Sequence, residues 1–308
     1  MFERSSNLSS GQTGIFALGD ASHGFFEFAL HEGVAIGDVI RTVANLRAAH
    51  TTVSGTNVVV GFRPELWRSC GALPAGVHGF NDLIAGPDGF AMPATQADAF
   101  VWLAAREYDG VFDLGVEIVA SLAPYAALIR ESSGWSYRRS RDLTGFEDGT
   151  ENPTLYEAPK VALIPSGVAG EGGSILLFQQ WRHDTARWNA LAQARQEEII
   201  GRTKPDSIEF PEATMPADSH VSRSTLEKGG VELPIFRRNV LYGNVSEHGT
   251  MFIGFAAEQR RLHDMLAQMA GADGGPRDAL TRYTTPLTGA YYFCPSPSAL
   301  ARFVIDES

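Results

Sequence analysis

Thr250-Met251-Phe252-Ile253-Gly254-Phe255-Ala256 is an apolar run of strand length, and residues 258–269 follow it with helical spacing and stop before Gly271. The same order occurs earlier, where residues 56–62 are rich in β-branched side chains and end on Gly61-Phe62. A strand–Gly-Phe–helix unit therefore recurs, once in each half of the chain. Around the first unit, Ile36, Val39, Ile40, Val43 and Leu46 share one face of a helix over 35–50. Residues 97–106 read as a strand and 110–122 as a helix stopped near Pro124, while 13–18 is expected to be a short strand. Around the second unit, 173–182 reads as a strand and 290–294 as a closing one. Residues 185–200 read as one helix capped by Asp184. The pattern predicts an α+β fold of two similar halves, each an antiparallel sheet covered by helices on one face. Pro159, Pro165, Gly167 and Gly170 mark 153–172 as a connection, which divides the chain into expected domains 1–155 and 156–308.

The chain has 308 residues, enough for two domains of ordinary size, and 44% are hydrophobic, enough for a sizeable core. A formal net charge of −11 argues against nucleic acid, whose affinity rests on neutralised phosphates, and against an anionic membrane surface. No apolar run approaches the roughly 18–20 residues of a membrane span. Residues 1–10 are polar and carry neither a charged-then-apolar leader nor a twin-arginine pair, so a cytoplasmic location is expected. Cys70 and Cys294 read as free thiols of a reducing compartment. The sequence has no Cys-x-x-Cys zinc pattern and no Cys-x-x-Cys-His.

Three stretches carry chemistry. Gly145-Phe146-Glu147-Asp148-Gly149-Thr150-Glu151-Asn152-Pro153 sets a carboxylate, Asp148, between glycines that let backbone approach a flat ligand, and Asn-Pro forces an extended exit. Alone it would be a surface turn. Residues 204–219 form a charged, aperiodic loop that leads to Asp218-Ser219-His220-Val221-Ser222-Arg223. The other seven histidines, His23 and His183 among them, sit mostly beside charged residues or glycine and read as surface groups. In Leu233-Pro234-Ile235-Phe236-Arg237-Arg238-Asn239-Val240-Leu241-Tyr242-Gly243, strand alternation puts Arg237 and Asn239 on one face and Arg238 on the other. A buried guanidinium needs an anion or a specific role, and the alternative is an edge strand with solvated arginines.

Taken in order, these stretches resemble the dye-decolourising peroxidases, a family of haem enzymes, and more narrowly the bacterial group called B-type. The similarity extends over nearly the whole chain and includes Ile200-Gly201-Arg202-Thr203-Lys204 and Tyr283-Thr284-Thr285-Pro286-Leu287-Thr288-Gly289. The resemblance implies two ferredoxin-like halves with haem b held non-covalently in the C-terminal half. His220 would be the proximal iron ligand and Asp278 the acid behind it. Asp148 and Arg237 would be the catalytic pair on the distal side, with Arg238 the less favoured neighbour and Asn239 in the same pocket. Gly149, Thr150, Glu151 and Asn152 would lie near a haem edge and its propionates. The family often carries proline where this chain has Leu241.

The implied reaction reduces hydrogen peroxide and oxidises organic one-electron donors such as dyes and phenolics. Asp148 would shuttle a proton and Arg237 would steady charge on the breaking O–O bond. Best activity is expected at mildly acidic pH. Trp181, Trp188, Tyr242 and Tyr283 could relay electrons to the surface, and each also reads as a core aromatic. A homo-oligomer is expected because relatives commonly self-associate. The last residues, 303–308, lack the Gly- and Leu-rich tail that packs some relatives into protein shells, so encapsulation is not expected. Two other readings stay open. One is a haem-binding or porphyrin-processing protein of the same fold in which peroxide turnover is secondary. The other is a haem-free α+β module with Asp148 as a turn residue.

Overall fold

In the computed structural model, described for residues 11–50, 55–138 and 141–304, the first half contributes β1 (Ser22–Leu30), β2 (Asn57–Phe62), β3 (Ala99–Ala105) and β4 (Ala126–Trp135). The polar residues 1–10 and the end of the chain, 305–308, lie outside the described residues. The second half contributes β5 (Ser174–His183), β6 (Phe236–Arg237), β7 (Val240–Gly243), β8 (His248–Ala256), β9 (Thr284–Pro286) and β10 (Ala290–Cys294). The expected α+β class holds, but the strands do not stand as two sheets. They form one antiparallel sheet in the order β6-β8-β7-β4-β1-β3-β2-β10-β5-β9, and pairing of β8 with β5 closes it. The halves join where Leu241 and Tyr242 pair with Trp135 and Gly134, and where Phe293 pairs with Phe62. Closure pairs N–H and C=O groups that two separate sheets would leave open at their edges. Leu241 thus sits buried in a strand paired on both sides.

Side chains fill the closed sheet, as barrels of this size require. Phe25, Phe100, Trp102, Phe178 and Tyr292 belong to one buried cluster, with Phe100 centred 4.6 Å from Phe178 and 5.1 Å from Tyr292. The opposite strand faces are covered by helices. α1 (Ile36–His50) buries Ile36, Val39, Ile40 and Val43, the stripe read from the sequence, and α2 (Tyr108–Leu122) packs beside it. Three of these strands, β1, β4 and the three-residue β9, escape the sequence reading. β1 is buried along most of its length and so lacks alternation, while β4 mixes polar residues into its exposed side.

Three further expectations are corrected. Thr13–Ile15 is a 3-10 turn rather than a strand. The connection over 153–172 contains α3 (Ala158–Ala162), whose Ala158 and Ala162 are fully buried, so this stretch packs into the core. Residues 185–200 form two helices, α4 (Thr185–Asn189) and α5 (Gln193–Ile200). Asp184 does cap the first, accepting from Arg187 N at 3.1 Å. Gln196 ties the two helices together, its side-chain amide donating at 2.9 Å to Trp188 O, which also accepts from Leu191 N at 3.1 Å. Three more α-helices among the described residues complete the second half, α6 (His220–Ser224), α7 (Gln259–Ala270), which is ended by left-handed Gly271, and α8 (Pro297–Ala301). No helix among the described residues is long and apolar enough to cross a membrane.

Candidate active site

Alternation along β5 decides where the site lies. Leu176 and Phe178 belong to the interior cluster, so Gln179, Trp181 and His183 point outward. α7 lies over this outer face, and its Met265, Leu266 and Met269 form an apolar wall opposite the strands. Between them is a cavity with about 1480 Å³ of atom-free space, open solvent at its mouth included. Loop residues 142–151 and α6 complete the lining.

α6 begins at His220, capped by Ser219, whose hydroxyl accepts from Ser222 N at 3.3 Å. The His220 ring meets the cavity, and its Nδ1 lies 2.7 Å from Asp278 Oδ2. Asp278 is fully buried, and its other oxygen accepts from Leu280 N at 2.9 Å. A carboxylate takes the Nδ1–H, which leaves the Nε2 lone pair free for a metal ion. His183 lines the same cavity, but Thr250 Oγ1 engages its Nε2 at 3.2 Å. Burial, with the His248 charge, lowers its pKa to about 4, so it is neutral at pH 7. The surface reading of His183 and His23 is therefore corrected. His23 is buried and accepts from Trp102 Nε1 at 3.2 Å. The run Gln179-Trp181-His183 on a strand with an apolar opposite face was the available signal for His183.

Asp148, Gly149, Thr150, Glu151, Arg237 and Asn239 also line the cavity. The Arg141–Glu147 bridge folds the loop back on itself just before Asp148. Arg237 and Asn239 leave β6 on the cavity side, whereas Arg238 turns into the closed sheet. There its guanidinium stands 5.0 Å over the Trp102 ring and donates to Ile15 O at 2.8 Å. Among the described residues, neither the Asp148 carboxyl nor the Arg237 guanidinium has a hydrogen-bond or ion-pair partner. Glu151 does have one. Arg202, itself buried, donates to Glu151 Oε1 at 2.8 Å and to Glu209 Oε2 at 3.0 Å, clamping the long loop to the Asp148 loop. Asn152 is not among the residues that line the cavity. Its amide is engaged with the Arg237 backbone, donating to the carbonyl at 2.7 Å and accepting from the N–H at 2.9 Å.

Asp142, not anticipated from the sequence, is a further carboxyl in the cavity wall. Its Oδ1 accepts from Thr144 N at 2.8 Å and from the Thr144 hydroxyl. Burial raises its pKa from 3.8 to about 6, opposed by the Thr144 hydroxyl and reinforced by the charge of Asp148. Between those values the folded chain keeps a proton that the unfolded chain has released, so stability falls as pH rises through that window. Asp142→Asn keeps the acceptor and removes the charge. The ligand-free variant is expected to be more stable than the parent at pH 8, by on the order of 2 kcal/mol, with the gap closing by pH 4. Denaturant melts at both pH values check this, and a gap that does not change with pH removes Asp142 as the titrating group.

Comparison with known proteins places this geometry in a family. Residues 139–299 match the family model "Dyp-type peroxidase, C-terminal". A dye-decolorizing peroxidase of Rhodococcus erythropolis is 33% identical over 290 residues, 90% of this chain and 84% of that protein. The solved structure of a dye-decolorizing protein from V. cholerae superposes with a TM-score of 0.86 at 32% identity, covering 95% of this chain and 99% of that one. A variant of DypB from Rhodococcus jostii RHA1, solved in complex with heme, superposes at 0.83 with 32% identity, covering 91% of this chain and 95% of that one. The chain belongs to the Dyp-type, dye-decolorizing peroxidase family, and is a peroxidase among the oxidoreductases.

Proposed function

We propose that the cavity binds haem b without covalent attachment, with His220 Nε2 as the proximal ligand, and that the protein reduces hydrogen peroxide at the expense of organic one-electron donors. The observation that carries this reading is the His220–Asp278 pair in a cavity that also presents unpartnered Asp148 and Arg237. Among the described residues, no three His, Cys, Asp or Glu side chains gather to hold a metal ion. An ion on His220 therefore needs its remaining ligands from a bound group, which a porphyrin provides. The apolar wall from α7 suits the flat face of such a group. Arg202 and the Gly149–Glu151 backbone suit its charged edge. The strand order also supports the haem-binding half as one of two ferredoxin-like units, 1–155 and 156–308. In each, four main strands run β4-β1-β3-β2 or β7-β8-β5-β10, with helices in the crossovers.

Bound haem supplies the iron that takes up peroxide and the store of oxidising equivalents that donors then discharge. The chain supplies the rest. Asp148 would accept a proton from one oxygen of peroxide and return it to the other as that oxygen leaves, directly or through one water. Arg237 cannot act as a base, because a guanidinium keeps its proton, and instead stabilises negative charge as the O–O bond breaks. Asn239 lies on the same face and Asp278 holds the His220 ring in the tautomer that exposes Nε2. The test is an absorption spectrum of the haem-reconstituted protein, before and after one equivalent of peroxide and then with a one-electron donor. A Soret band that peroxide changes and the donor restores is expected. Haem uptake without that response would favour porphyrin handling, and no uptake would leave Asp148 a turn residue.

A further inference from the structure

Asn152 faces a strand edge, not the cavity. β6 ends the sheet order and pairs only with β8, so its other side would present open backbone groups. The planar amide of Asn152 takes that place, donating to Arg237 O at 2.7 Å and accepting from Arg237 N at 2.9 Å. It acts there as a one-residue strand. Both bonds together fix the orientation of the amide, since only one assignment of nitrogen and oxygen satisfies them. Asn152 is in turn bound to its own loop. Its N–H donates to Gly149 O at 3.0 Å, closing a turn over Thr150 and Glu151 that Gly149 enters at φ +77°. A Cβ on Gly149 would stand 3.2 Å from Asn152 Nδ2. The residue before that turn is Asp148. A short covalent path and two hydrogen bonds therefore join the backbone of Asp148 to that of Arg237, while their side chains form no ion pair.

We propose that Asn152 is a positioning residue that sets the spacing of Asp148 and Arg237, an inference that rests on the reading of those two as the groups acting on peroxide. An ion pair would also hold them, but it would neutralise both and fill the space between them. The Asn152 clamp fixes the two charges through their main chains and leaves both side chains free. Asparagine is suited to this because it offers a donor and an acceptor on a short stem. Aspartate keeps the acceptor for Arg237 N–H and sets a carboxylate oxygen against Arg237 O.

The test compares Asn152→Ala and Asn152→Asp in the haem-loaded full chain, alone and with Arg237→Leu. Asn152→Ala is expected to slow the peroxide-driven spectral change by roughly tenfold to a hundredfold, the loss typical of a catalytic group displaced by about 1 Å. In the Arg237→Leu background it should add nothing, because the side chain it positions is gone. The Soret titration should be unchanged. In the ligand-free protein, hydrogen exchange at the Arg237 amide should accelerate in Asn152→Ala and stay slow in Asn152→Asp, which keeps the variant pair informative if the alanine form folds poorly. Equal slowing in both backgrounds, or an unchanged peroxide rate, overturns the inference and leaves the haem peroxidase reading standing. A parent protein that takes up haem but ignores peroxide overturns that reading, and the inference with it.

Discussion

His220→Ala is expected to abolish specific haem binding, with the Soret band of the parent replaced by that of loosely associated haem. The free Nε2 of His220 is made available by one contact, the 2.7 Å approach of Asp278 to Nδ1. His183 cannot take over without rearrangement, because its Nε2 is engaged by Thr250. Removal of the imidazole also leaves Asp278 Oδ2 without its partner inside the fold, while Oδ1 keeps Leu280 N, and an unsatisfied buried polar atom costs about 1–3 kcal/mol or more when charged. The loss of haem must therefore be separated from a loss of fold. Two controls do this. Imidazole added to His220→Ala should restore a Soret band near that of the parent, since the hole matches the missing ring. Asp278→Asn leaves the ligand in place and disturbs only its support, and should weaken haem affinity by roughly 10–100-fold, the usual cost of losing a ligand's outer partner. Haem titrations followed by absorbance, with circular dichroism on the same samples, give the answer. Parent-like haem binding by His220→Ala, or its loss on His183→Ala instead, would show that the iron is held elsewhere.

Periodicity placed the helix with one wet face, and unbroken apolar runs placed strands that are buried on both sides. α1 stands close to where its spacing puts it, and β3 and β8 close to where their apolar runs do. β1 was invisible because Ser22, His23, Gly24 and Glu27 interrupt its apolar residues, and the break between α4 and α5 was invisible because no proline or glycine marks it. Closure of the sheet was beyond reach for a different reason. It depends on few long-range pairs, such as Leu241 with Trp135, which leave no local trace. In the site, Arg237 and Asn239 were separable from Arg238 by alternation alone. Asp148 and His220 were legible only as parts of longer strings, since an acid in a glycine turn and a histidine after a loop are ordinary in themselves. Asp142 was missed because nothing in Arg141-Asp142-Leu143 reveals that the loop folds its side chain inward beside Asp148. The engagement of the Asn152 side chain with the Arg237 backbone was not legible, since residue type does not reveal a backbone partner 85 residues away.

Arg237→Leu is expected to slow the peroxide-driven step more than Asp148→Asn does, and the reason lies in what stands behind each group. Asp148 has a neighbour of its own kind. Asp142 lines the same cavity, and burial raises its pKa to about 6, a range in which a carboxyl can both give and take a proton near neutrality. A water between them would let Asp142 serve part of the proton transfer when Asp148 is gone. Arg237 has no such substitute. Arg202 also lines the cavity but is held by Glu151 and Glu209, and Arg261 is held by Glu258 at 3.0 Å and by Pro234 O. Neither can swing toward a developing charge without leaving a carboxylate behind. Loss of an oriented charge-stabilising group typically costs about 10²–10³ in rate, and that range is expected for Arg237→Leu. Asp148→Asn should lose less, on the order of tenfold, because general acid–base help worth roughly 10²–10⁴ is only partly removed. The double variant Asp142→Asn/Asp148→Asn should then fall well below either single change, whereas Asp142→Asn alone should scarcely slow the step. Stopped-flow mixing of each haem-loaded variant with peroxide ranks the four. If Asp148→Asn proves the slower single variant, or if the double variant is no slower than Asp148→Asn, Asp142 gives no support and the proton, not the charge, limits the reaction.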